Sequence, residues 1–112
     1  MILEIRTYRL RPGTREEFLR AMAEETIPLL LKAGIDVVAA GPSLYAEDGN
    51  EEAVLMRAFA SLDQLAEQED AFYASDAWLN GPREAIVGPI EQYHSIALDV
   101  PVAVVEGLRK PF

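Results

Sequence analysis

With 112 residues, half of them hydrophobic, the chain is long enough for one domain with a real core and too short for two. Its 19 acidic and 10 basic residues give a net charge of −9, which repels phosphate backbones and anionic membranes and disfavours nucleic-acid binding. The lack of cysteine removes disulfides, thiol nucleophiles, iron–sulfur clusters and cysteine-bound zinc.

The first strand, residues 2–10, alternates so that Leu3, Ile5 and Thr7 share one face and Glu4, Arg6 and Tyr8 the other. Arg11-Pro12-Gly13-Thr14 ends it, with Thr14 as N-cap of a helix whose first turn carries Glu16 and Glu17. Apolar residues from Phe18 to Ala33 follow at helical spacing up to a stop at Gly34, and Pro28 predicts a kink or restart, because its ring lacks an N–H. Residues 36–47 read as an edge strand bent at Gly41-Pro42, residues 48–52 as a hairpin loop around Asp48-Gly49, and residues 53–60 as the third strand. Ser61 to Gln64 is a capping box that opens the second long helix, with breaks expected at Ser75-Asp76 and Asn80-Gly81-Pro82. Residues 91–100 form the last strand. The apolar tail, residues 101–112, is expected to add a short strand or lie on a partner subunit.

The run at residues 2–13 has a loose echo at residues 54–62: each is strand-like, carries an arginine followed two residues later by an aromatic, and leads into a helix. That doubling argues for an α+β, ferredoxin-like βαββαβ domain, an antiparallel sheet with helices on one face. The chain enters a strand at once without a basic or apolar leader, and no apolar run approaches ~18 residues. A soluble, cytoplasmic protein without membrane association is the expectation.

The start Glu4-x-Arg6-Thr7-Tyr8, the junction at residues 57–62 and Trp78 within Ser-Asp-x-Trp together resemble the NIPSNAP family, over roughly the whole chain to Leu98. The resemblance implies a homodimeric α+β barrel, in which two sheets pack across a two-fold axis with helices outside. The wider superfamily includes cofactor-free monooxygenases, small isomerases and haem-degrading enzymes. The haem degraders use an asparagine on the first strand and a histidine on a helix. Neither is matched here, which argues against haem.

Taking the more apolar face of each strand as the helix side places Val54, Met56 and Ala58 under the helices. Glu4, Arg6, Tyr8 and Arg57 then look into the barrel, as a paired charge network at the dimer interface or an anion clamp. The same rule turns His94, the single histidine, toward the helices with Ile96 and Leu98. There it is expected to share a cleft with Thr7, Tyr73 and Trp78, a pocket for a small apolar or aromatic ligand. An imidazole titrates nearest neutral pH, so His94 is the candidate general base for cofactor-independent oxygenation or isomerisation. The rival expectation is a non-catalytic binding or interaction module. One histidine supplies no metal-ligand pair, and the acidic runs at residues 24–25 and 67–70 read as solvated helix faces, so no cofactor or metal is expected.

Overall fold

In the computed structural model, which describes residues 1–110, strand β1 (Ile2–Leu10) lies inside a four-stranded sheet ordered β2-β3-β1-β4. It pairs antiparallel with β3 (Glu52–Phe59) on one side and β4 (Ile90–Asp99) on the other, while β2 (Asp36–Pro42) pairs antiparallel with β3. The expected ferredoxin-like α+β topology is therefore present, with β2 and β4 as edges. Pro42 ends β2 at that edge, where a missing N–H breaks no ladder.

Helix α1 (Arg15–Ala21) does not stop at its last residue but passes through a π-helical turn, Met22–Thr26, into α2 (Ile27–Lys32). Pro28 sits in the first turn of α2, where its missing N–H is harmless, so the expected restart is present and the π turn absorbs the extra residue. Gly34 ends α2 at φ +83°, a conformation costly for other residues. The Ser61 cap holds: its Oγ accepts from Gln64 N at 3.1 Å, while Gln64 Oε1 accepts from Ala60 N. It opens α3 (Leu62–Tyr73). Ser75 then caps α4 (Asp76–Leu79) by accepting from Trp78 N, and α5 (Arg83–Val87) follows Pro82. Thr14 donates instead to the Arg11 carbonyl and makes no cap bond.

The two faces of the sheet are the reverse of those read from strand polarity. Tyr8, Leu10, Val37, Leu55 and Phe59 pack beneath Phe18, Met22, Leu30, Phe72, Trp78 and Ile86, so the face bearing Glu4, Arg6 and Arg57 is the helix side. Leu3, Ile5, Met56 and Ala58 lie on the other face. The charged residues go under the helices because each finds an opposite charge there; the apolar set is left for a different cover.

Part of that cover is α6 (Val102–Leu108), which lays Val105 onto Leu3, Val38 and Ala58. Arg109 fastens it with two bonds to Asp36, at 2.8 and 2.9 Å. The tail is thus a helix on the chain's own sheet, because residues 102–108 bury one apolar stripe there. Residues 111–112 of the expected tail lie outside the described residues. No helix among the described residues is long and apolar enough to cross a membrane.

Candidate functional site

Glu4 and Arg57 are directly opposite in the β1–β3 ladder, and Arg57 Nε donates to Glu4 Oε1 at 2.8 Å. Arg6, two residues along on the same face of β1, donates from Nη2 to Glu4 Oε2 at 3.3 Å and to Glu69 Oε1 at 3.1 Å. Arg57 Nη2 lies 3.2 Å from Glu69 Oε2 without forming a hydrogen bond, so charge alone holds that contact. Tyr73 Oη accepts from Arg57 Nη1 at 2.8 Å and from Arg6 Nη1 at 3.3 Å, and Ser95 Oγ accepts from Arg6 Nε at 2.8 Å. Arg57 has no solvent exposure at all. Such a group is tolerable only because Glu4 and Tyr73 bond two of its three nitrogens and the two carboxyls face its charge.

Helix α3 explains how Glu69 arrives. Leu65, Glu69, Phe72 and Tyr73 recur at spacings of three and four, so one stripe of α3 faces the sheet with a carboxylate in its centre. Burial, and then a hydrogen bond with Glu4, push the Glu69 carboxyl up to about 7 against the pull of the arginines. Burial also opposes charge on Glu4, but the Glu69 hydrogen bond and the Arg57 and Arg6 charges prevail and hold it below the usual carboxylate range. Of the two carboxyls, Glu69 is therefore the one that takes up a proton near neutral pH. The reading of residues 67–70 as a solvated face fails at Glu69, which is buried.

These groups open onto a cleft of about 630 Å³ between the sheet and the helices, lined by Arg6, Tyr8, Thr26, Glu69, Tyr73, Trp78, Ile86 and Tyr93 among others. The volume lies within the range of small-molecule sites. Tyr73 and Trp78 meet edge to face with centroids 5.3 Å apart, and the Arg6 guanidinium stands 5.0 Å over the Tyr93 ring. Burial raises the Tyr8 phenol well above its ordinary range, so it remains an O–H donor.

Of the residues singled out from sequence, Tyr73, Trp78, Arg6 and Tyr8 line this cleft, with Glu4 and Arg57 behind it. His94 and Thr7 do not. They pair across β1 and β4 on the opposite face, where Thr7 Oγ1 donates to the His94 carbonyl at 3.4 Å and the imidazole is exposed. The expected helix-side position of His94 is corrected by the same face reversal that carries Arg6 and Arg57 inward. Glu69 and Thr26 were missed, although the spacing of Glu69 from Leu65 and Tyr73 marked it as inward-facing. Among the described residues no group of three or more His, Asp or Glu side chains is arranged to hold a metal ion.

Sheet, helices and cleft together define a ferredoxin-like α+β protein with its pocket under the helices. The chain belongs to the NIPSNAP family, which its residues 3–99 match. A NIPSNAP family protein of unknown function from Agrobacterium tumefaciens is 30% identical, with a TM-score of 0.73 over 88% of this chain and 86% of that one. An uncharacterised NIPSNAP domain protein from Burkholderia xenovorans is 24% identical, with a TM-score of 0.77 over 90% and 95%. A proposed antibiotic biosynthesis monooxygenase from Bordetella bronchiseptica shares the fold at 19% identity, with a TM-score of 0.68 over 89% and 96%. A glycogen synthase from Cereibacter sphaeroides is 32% identical over 82 residues, 72% of this chain. The match spans only 17% of that relative's length.

Proposed function

We propose that the helix–sheet cleft binds a small, largely apolar aromatic molecule bearing an acidic O–H or C–H group, and that Glu69 accepts its proton. One observation carries this reading: a buried carboxyl pushed up to about 7 opens onto a cleft walled by Tyr8, Tyr73 and Trp78. A base works best when its pKa lies near the operating pH. Two guanidinium groups face two carboxyls here, so moving a proton from ligand to Glu69 leaves the cluster with one positive charge beside the new ligand anion, and the total charge of cluster and ligand is unchanged. The resulting electron-rich anion is the intermediate from which a double-bond shift or a cofactor-independent reaction with dioxygen proceeds. The monooxygenase-like fold of the Bordetella protein is compatible with this chemistry and supports nothing finer. This assignment replaces His94, whose exposed position on the other face removes it from the cleft.

Trp78, the single tryptophan, lines the cleft and serves as the optical reporter. A naphthol is expected to quench its fluorescence saturably, with an affinity that changes through about pH 7, where Glu69 titrates. Glu69→Gln is expected to abolish that pH dependence and, for any substrate found, to slow turnover by about 10²- to 10⁴-fold. Identical pH profiles in both proteins would favour the rival reading, a non-catalytic binding module. The feature that supports that reading is that every guanidinium nitrogen of Arg6 is already engaged within the protein.

The working unit in this proposal is a homodimer joined through the open sheet face. Ile96 and Leu98 of β4 are 46% and 44% exposed on that face, and Val102 and Val104 of α6, the helix packed on the same face, are 58% and 43% exposed. Apolar side chains this exposed on one face of a sheet and its covering helix mark an interaction surface. A second copy of the chain offers the matching patch.

A further inference from the structure

Thr26 closes the π-helical turn, is only 3% exposed, lines the cleft, and has no hydrogen-bond partner for its hydroxyl among the described residues. A threonine within a helix ordinarily bonds the carbonyl four residues back. Here that carbonyl, on Met22, accepts the Ile27 N–H in the wider π pattern, and the Thr26 hydroxyl takes no share of it. A buried hydroxyl without a partner carries its desolvation penalty uncompensated. Isolated π turns recur where a helix borders a functional site. Tyr8, whose phenol is a second O–H donor, lines the same cleft.

Resting on the cleft reading above, we infer that the Thr26 hydroxyl is a ligand-binding group that donates to a carbonyl oxygen, so the ligands are hydroxyaryl ketones or lactones rather than simple phenols. The acidic hydroxyl of such a ligand goes to Glu69 and its carbonyl to Thr26, with Tyr8 as a further donor. The aromatic body between them lies against Tyr73 and Trp78.

The experiment compares two probes by calorimetry: a naphthol, and the same naphthol carrying an acetyl group on the far ring. Wild type is expected to bind the acetyl compound about tenfold tighter, the effect of one hydrogen bond to a buried donor. Thr26→Val, which keeps shape and branching, is expected to erase that preference, read as the ratio of the two affinities within each protein. Thr26→Ser is expected to retain it. The free Thr26→Val protein is expected to melt no lower than wild type, since it loses a buried hydroxyl that bonds nothing; a clear drop in Tm would show a structural bond and overturn the inference. Equal affinity of wild type for the two probes, or a preference that survives in Thr26→Val, overturns it while leaving the cleft reading intact. If neither probe binds wild type, the cleft reading fails and this inference with it.

Discussion

Arg6 and Arg57 reach the same phenol: each donates to Tyr73 Oη, at 3.3 and 2.8 Å, so one hydroxyl on α3 collects two cations from two strands of the sheet. Helix and sheet are joined there by charge-assisted bonds, in addition to apolar contact. Removing the hydroxyl alone tests how much of the α3 docking it carries. Tyr73→Phe is expected to cost roughly 1.5 to 3 kcal/mol, the range for bonds to charged groups, read as a shift in the urea midpoint at unchanged slope.

Arg57 lies deepest in the network, and a broken buried pair costs more than an absent one. Arg57→Ala, which leaves Glu4 and Glu69 without its charge, is expected to destabilise by roughly 3 to 5 kcal/mol. Combining Arg57→Met with Glu4→Leu removes one charge of each sign and should recover much of the loss, even though two residues are changed. Denaturant unfolding of the single and double variants decides it; a double variant weaker than Arg57→Ala would contradict the account.

Glu69 gives stability an unusual pH dependence. Its carboxyl titrates near 7 in the folded chain and at about 4.5 when exposed by unfolding, so between those values the folded state holds the extra proton. Its contribution is fully present below about pH 4.5 and is lost as pH rises through 7. Glu4, held low, runs in the opposite sense: its contribution is present above about 4.5 and lost on acidification. Wild type is therefore expected to lose Tm relative to Glu69→Gln from about pH 4.5 to about pH 7. Parallel Tm curves across that window would show that Glu69 titrates normally.

For the dimer, the expected result is a two-chain species at micromolar concentration by sedimentation, with more than ~2,000 Å² buried in total. Ile96→Lys is the sharper test, because Ile96 is already half exposed and a lysine there costs the folded chain little. The variant is expected to sediment as a folded monomer. A wild-type monomer with intact circular dichroism would remove the dimer from the reading.

Capping, turn and breaker residues act within a few positions of themselves, which is why Ser61, Ser75, Gly34 and Pro28 could be placed from sequence and why the topology followed. Face assignment was not local in this way. Glu4 is neutralised by Arg57, 53 residues away, and Arg6 by Glu69, 63 away, so the partners that make the charged face burial-competent were invisible on strand one alone. A signal was nonetheless available at the strand ends. Ile2, Tyr8 and Leu10 share parity with Glu4 and Arg6, and Ala53, Leu55 and Phe59 share it with Arg57, so both charged runs are framed by core residues on their own face. Tyr73 at the end of α3 and Trp78 on α4 line the cleft because both helices turn their apolar residues to the sheet. His94 followed β4 to the wrong side for the same reason that Met56 did.

Strand β4 has only β1 as a neighbour, and the two sides of its ribbon do different things: Tyr93 and Ser95 touch the Arg6 guanidinium, while Ile96 and Leu98 stand bare on the reverse. A strand is one backbone thick, so its faces cannot be displaced independently. Ile96 is the chain neighbour of Ser95, and Ser95 bonds the same guanidinium that bonds Glu69. The open face of the sheet and the charged cluster in the cleft are thus separated along β4 by a single residue step of main chain.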